Sequence, residues 1–195
     1  MNEEKAPSEE PYLLLEVLEL NNTDSLLQVI EKHRDVSGVY LGKPVEEIGE
    51  KFVNFISRLS KLRTQVQVVL KIKMRDILEK LDQVAKELPN VEFVAAVSDL
   101  SVLESVKLER ISIGFEVFNP YPNISKLRES GVEYLIIPMA LLRSRAAKEA
   151  EAKKIRIIAL NVNSPENYIR SKSLKVYAAV SEKPTIRREA ESLGV

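Results

Sequence analysis

The tightest constraint on the fold of this chain is an alternation of short apolar runs with amphipathic segments, repeated eight times. The stretch 156–184, RIIALNVNSPENYIRSKSLKVYAAVSEKP, shows one unit most clearly. Ile157-Ile158-Ala159-Leu160 is apolar and turns polar at Asn161 and Asn163. Ser164-Pro165-Glu166 then supplies a side-chain cap, a proline for the first helical position and an acid facing the helix dipole. A short helix leads to a second apolar run, 176–180, which turns polar at Ser181-Glu182. That is strand, helix, strand, with polar residues arriving at the carboxyl ends of the strands, the end at which parallel α/β folds bind ligands.

The remaining units follow the same pattern. Residues 12–20, 38–41, 66–73, 91–97, 111–118 and 132–139 read as strands. Between them, helices are expected over about 24–32, from Pro44, over 76–88, from the Ser98-Asp99 cap to before Arg110, after Asn123 up to Gly131, and over about 142–154. A last helix is expected over 185–193. Eight strands alternating with eight helices mean a parallel sheet with right-handed crossovers. The expected fold is a compact (β/α)8 TIM barrel, the alternative being a doubly wound open parallel sheet. No Gly-x-Gly-x-x-Gly follows the first strand, which weakens a dinucleotide-binding version. Residues 1–11, MNEEKAPSEEP, read as a flexible polar tail unlike a signal peptide, and 12–195 as one barrel domain.

Composition narrows the chemistry. There is no cysteine, which removes disulfides, thiol nucleophiles and cysteine-ligated zinc. The single histidine, His33, rules out a site needing two imidazoles and reads as a surface or capping residue after the first helix. Lys+Arg 29 against Asp+Glu 29 leaves no basic excess, which argues against a nucleic-acid partner. No apolar run spans a bilayer, and the expected location is cytoplasmic. Few glycines and 30% charged residues fit a heat-adapted source.

The strand ends carry the candidate site. Lys71 and Lys73 share one face of a strand otherwise built from Val68, Val69, Leu70 and Ile72, so a lysine there needs solvent, a carboxylate or an anion. Glu116 lies at a similar height on the fifth strand, and strands three and five contribute to the same interior layers of a barrel. Lys71 and Glu116 can therefore form a structural ion pair, or the lysines can hold a phosphate ester that Asn161 or Asn163 orients. The asparagines are equally suited to forming turns ahead of the Ser164 cap. Glu182 closes the last strand, as a solvated loop residue or a ligand-facing acid.

Several of these stretches resemble the glycerophosphodiester phosphodiesterases, which are TIM barrels. The likeness lies in Leu135-Ile136-Ile137-Pro138, in Leu160-Asn161-Val162-Asn163-Ser164-Pro165-Glu166 and in Ser181-Glu182-Lys183-Pro184. It extends more weakly to Leu70-Lys71-Ile72-Lys73, similar to the family's Glu-Ile-Lys. The resemblance implies a divalent metal held by carboxylates and histidine acid/base groups, and this chain departs from it at those positions. Glu19-Leu20 stands where the family has His-Arg-Gly, and Asn21-Asn22-Thr23 where it has Glu-Asn-Thr. Tyr40 and Gly42 fall at its Glu-x-Asp pair, and Lys71 replaces the glutamate of Glu-Ile-Lys. A lysine in place of that glutamate repels cations and attracts anions. The reading that follows is a pseudoenzyme with no catalytic residue, metal or cofactor. Its ligand site, for a phosphorylated small molecule, would draw on Lys71, Lys73, Glu116, Asn161, Asn163 and Glu182. Two rivals stand beside it: a divergent phosphoric diester hydrolase using Glu19, Glu116 and Glu182, and a non-catalytic scaffold, as a homodimer through its helical shell.

Overall fold

Eight parallel strands, hydrogen-bonded in sequence order with β8 returning to β1, close into a barrel in the computed structural model, which describes residues 10–194. The strands are β1 (Tyr12–Val17), β2 (Val36–Leu41), β3 (Val66–Lys71), β4 (Val91–Val97), β5 (Ile111–Glu116), β6 (Tyr134–Pro138), β7 (Arg156–Leu160) and β8 (Ala178–Ser181). The helices are α1 (Thr23–Lys32), α2 (Glu50–Ser60), α3 (Arg75–Glu87), α4 (Ile124–Glu129), α5 (Ser144–Ala152), α6 (Pro165–Ser173) and α7 (Ile186–Glu191). The fold is the (β/α)8 barrel, and the open sheet is excluded by the β1–β8 pairing from Tyr12↔Ala178 to Leu15↔Ser181.

The period-two alternation of each strand separates two cores. Leu14, Val69, Val94, Ile136, Ile158 and Val180 pack with Tyr40 and Tyr134 inside the ring. Their neighbours in sequence, such as Leu13, Val68, Phe93, Leu135 and Ile157, join the helices in a larger outer core. The ring is tight. A Cβ at Gly114 would fall 2.7 Å from Ile136 Cδ1 and 3.1 Å from Val94 Cγ1, so neighbouring side chains already fill that space. At Gly38 a Cβ would fall 1.8 Å from the Gln67 carbonyl oxygen. Gly38 sits where the β1–β2 register skips Ser37, pairing Leu13 with Val36 and Leu14 with Gly38. This irregularity presses β2 backbone onto β3, and only glycine fits.

Two helices depart from the sequence reading. The helix expected from Pro44 begins only at Glu50, because the Val45 N–H donates to Lys71 O at 2.9 Å and holds the preceding segment extended along β3. The helix expected after Ser98-Asp99 is a single 3-10 turn, Leu100–Leu103, with Asp99 accepting from Ser101 N at 2.9 Å. Buried Asp82 of α3 takes the N–H groups of Glu109 and Arg110 at 3.0 and 2.8 Å, fastening that connection as irregular chain. Of the expected tail, residues 1–9 lie outside the described residues. Glu10 pairs with Lys172 at 2.5 Å and accepts from Tyr168 Oη at 3.3 Å. No helix among the described residues is long and apolar enough to cross a membrane.

Candidate functional site

The carboxyl end of the barrel carries the inward polar groups. Lys71, the last residue of β3, reaches across the ring so that Nζ lies 3.2 Å from Glu116 Oε1 at the end of β5. Tyr40 of β2 donates its hydroxyl to the same oxygen at 2.8 Å. Lys71 Nζ also stands 5.9 Å from the centroid of the Tyr40 ring. Glu116 is almost fully buried, its side chain 7% exposed against 24% for Lys71, so the carboxylate is the inner partner and the ammonium the outer one. Burial first, and Glu116 second, push the Tyr40 hydroxyl far above its ordinary pKa and keep it a hydrogen-bond donor.

Glu16 of β1 joins this group from the other side. It sits in register with Tyr40 and is half-buried. Its carboxylate lies over Gly42, where a Cβ would come within 3.1 Å of Oε1. Partial burial raises its pKa above the ordinary 4.5, the Glu182 carboxylate raises it further, and Lys71 opposes both. Neither Glu16 nor Tyr40 was picked out as a site group by sequence reasoning. The signal for Glu16 was parity: it is the one charged residue in YLLLEV and shares a face with Leu14.

The other expected site residues occupy different surroundings. Lys73 lies beyond the end of β3, exposed and without an ion-pair partner among the described residues. Asn161 is exposed in the left-handed region at φ 60°, in keeping with its reading as a turn residue. Asn163 Oδ1 accepts from Ser181 Oγ and from Glu182 N, both at 2.9 Å, and so fastens the end of β8. Glu182 itself is exposed. Glu19 does not reach this group, which corrects its placement at a strand end. β1 stops at Val17, and Glu19 lies in the exposed loop beyond, held by Lys43 and by Asn21 Nδ2.

A divalent ion of the kind the resemblance implies needs several oxygen donors around one point. No three His, Cys, Asp or Glu side chains among the described residues are grouped to hold one. The inner carboxylate, Glu116, is already taken by Lys71 and Tyr40. The residues do not fit such an ion.

The amino end of the barrel is closed by a second polar group centred on Glu92 of β4. Tyr134 Oη donates to its Oε1, Tyr177 Oη to Oε2 at 3.1 Å and Gln67 Nε2 to Oε2 at 3.1 Å. Arg156 pairs with it at 3.4 Å while lying 4.2 Å from the Tyr134 ring and 4.9 Å from that of Tyr177. Two clefts of about 360 and 200 Å³ lie off the axis. One runs along α3 beside Asp82 and Lys107, the other beneath the loops after β1 and β2.

No protein-family model matches the chain, and no curated protein matches it in sequence. Solved structures do. A Galdieria sulphuraria protein assigned as a glycerophosphodiester phosphodiesterase superposes with a TM-score of 0.72 at 9% identity, over 93% of this chain and 98% of the other. The glycerophosphodiester phosphodiesterase of Parabacteroides distasonis gives 0.67 at 11% identity, over 95% and 100%. Phosphoribosyl anthranilate isomerase from Thermus thermophilus gives 0.56 at 13%, over 93% and 98%. The chain spans only 56% of the length of a longer phosphodiesterase-type barrel from Silicibacter pomeroyi. At these identities the likeness is one of fold, found in phosphodiesterase barrels and in an isomerase.

Proposed function

We propose that this chain is a glycerophosphodiester phosphodiesterase-like barrel that does not hydrolyse diesters and instead binds a small phosphate ester at its carboxyl-end mouth. The observation that carries the reading is Lys71: an ammonium inside the ring, bonded to Glu116, at a position where an ion-binding barrel needs an acid. An ester oxygen would approach Lys71 from its exposed side, sharing it with Glu116, with Lys73 just beyond the strand as a second donor. Asn163, by fastening Ser181 and Glu182, would hold the β8 edge of that mouth in place, Asn161 would shape the turn beside it, and Glu182 would border the ligand.

The test has two arms. Glycerophosphodiester turnover with added Mg²⁺ or Ca²⁺ should be absent, and turnover that EDTA abolishes would overturn the reading. Glycerol 3-phosphate should raise the melting temperature, and Lys71→Met should cancel the rise. The scaffold reading is favoured by one observation, the side-chain filling around Gly114 that leaves the barrel without a deep cavity at that level. It expects no shift with any phosphate ester. The hydrolase reading on Glu19, Glu116 and Glu182 lacks support, because Glu19 is engaged by Lys43 outside the ring.

A further inference from the structure

We infer that Glu16 gates the mouth: an anion binds at Lys71 more tightly once Glu16 has taken up a proton. The inference rests on the anion-site reading above and adds its regulation. Its basis is the arrangement of charge inside the ring. Lys71 reaches into the ring at this level, 3.2 Å from Glu116 of β5 and 5.9 Å from the Tyr40 ring, and Glu16 of β1 stands in register with Tyr40. Glu182, at the end of β8 beside β1, adds a third negative charge from the solvent side. An incoming anion would be one more negative charge against a single ammonium.

The acids differ in how they are held. Glu116 is fixed by two donors, the Lys71 ammonium and the Tyr40 hydroxyl. Tyr40 stays protonated and brings no charge. Glu182 is exposed, and solvent screens it. Glu16 is half-buried, with no hydrogen bond or ion pair of its own among the described residues, and burial together with Glu182 favours its neutral form. Once Glu16 is neutral, the inner group balances, one ammonium against one carboxylate, and Lys71 can donate to a ligand oxygen as a second partner. The groups around Glu16 are thus Tyr40 from β2, Lys71 from β3 and Glu182 at the end of β8, with Glu116 of β5 bonded to Tyr40 and Lys71 behind them and Lys73 and Lys43 exposed outside on the loops.

Sulfate is the probe that isolates this step, because its charge is constant across the range in which Glu16 titrates, whereas a phosphate monoester titrates itself. Calorimetry of sulfate binding to the full chain should show affinity rising about fivefold or more from about pH 8 to about pH 5, with net proton uptake. Glu16→Gln should bind at the higher affinity at both pH values, with the pH dependence and the proton uptake lost. Glu182→Gln should keep the pH dependence. Sulfate binding that is equal at both pH values in the unaltered chain, or a pH dependence that survives in Glu16→Gln, would overturn the gate and leave the anion site standing. No binding at either pH in Glu16→Gln, with its unfolding transition intact, would overturn the site and the gate together.

Discussion

The two ends of the barrel use the same device, an inward glutamate shared by several donors, and put it to different uses. At the amino end Glu92 accepts from two tyrosines and a glutamine and pairs with Arg156, whose guanidinium lies against both rings. Every strong donor there is met, and the aromatic rings of Tyr12, Tyr134 and Tyr177 pack edge-on at 5.2 and 5.5 Å. At the carboxyl end Glu116 meets one lysine and one tyrosine, and a second acid, Glu16, stands alongside with no hydrogen bond or ion pair of its own among the described residues. The saturated end is a plug, and the unsaturated end keeps a group that can still change its charge.

The sharpest way to break that comparison is to remove the plug. Glu92→Ala leaves the Tyr134 hydroxyl, wholly buried, and the Tyr177 and Arg156 donors without their shared acceptor. Gln67 and Tyr177 keep their mutual bond at 2.6 Å, so the loss is partial. A cost of about 3 kcal/mol is expected in urea unfolding, since each stranded buried donor loses its hydrogen bond without regaining water. Sulfate binding at the other end should be unaffected. A midpoint indistinguishable from that of the unaltered chain would make the plug incidental.

How much of this was legible beforehand depends on distance along the chain. β4 could be read to the residue, because Val91–Val97 is apolar but for Glu92 and lies between polar boundaries. The Lys71–Glu116 pair could be anticipated because strand parity and layer rules reach across a closed ring. The plug could not. Gln67, Glu92, Tyr134, Arg156 and Tyr177 sit within one residue of the starts of five strands, where a polar residue looks like an ordinary strand boundary until closure brings them together. Glu19 was placed at a strand end because YLLLEVLEL stays mostly apolar past Val17, and only the bend at the end of β1 removes its last residues from the ring. The turn after β4 failed as a helix because what fixes it, Asp82 accepting from Glu109 and Arg110, is tertiary.

Smaller changes at the mouth sharpen the contrast. Glu116→Gln keeps an acceptor for the Tyr40 hydroxyl and leaves Lys71 partly exposed, free to turn to water. It should cost about 1 kcal/mol, well under the cost at Glu92, because one end of the pair is already solvated. A loss as large as that of Glu92→Ala would show that both ends are plugs. Asn163→Ala removes the acceptor for Ser181 Oγ and Glu182 N and should cost about 1 kcal/mol as well, most visible as faster amide exchange at Glu182. Exchange there as slow as in the unaltered chain would deny Asn163 its role in fastening β8.

The smallest expected effect is the one that tests whether the mouth is truly left unsaturated. Glu16 has its folded-state pKa raised above 4.5 by burial and by Glu182, so the folded chain binds its proton more tightly than the unfolded chain does. A raised pKa contributes stability that is fully present below the unfolded pKa and is lost as pH rises through the folded one. Stability should therefore decline from about pH 4 upward by the share that Glu16 contributes, against the general gain from the other carboxylates. Glu16→Gln removes that share. Its urea midpoint should match the unaltered chain near pH 4 and exceed it at neutral pH, where the buried charge and its repulsion from Glu182 are gone. At the amino end no substitution of Glu92 can behave this way, since that carboxylate is needed by every donor around it. A Glu16→Gln chain less stable than the original at neutral pH would mean that Glu16 is bound into the mouth as firmly as Glu92 is into the plug, and the distinction between the two ends would fall.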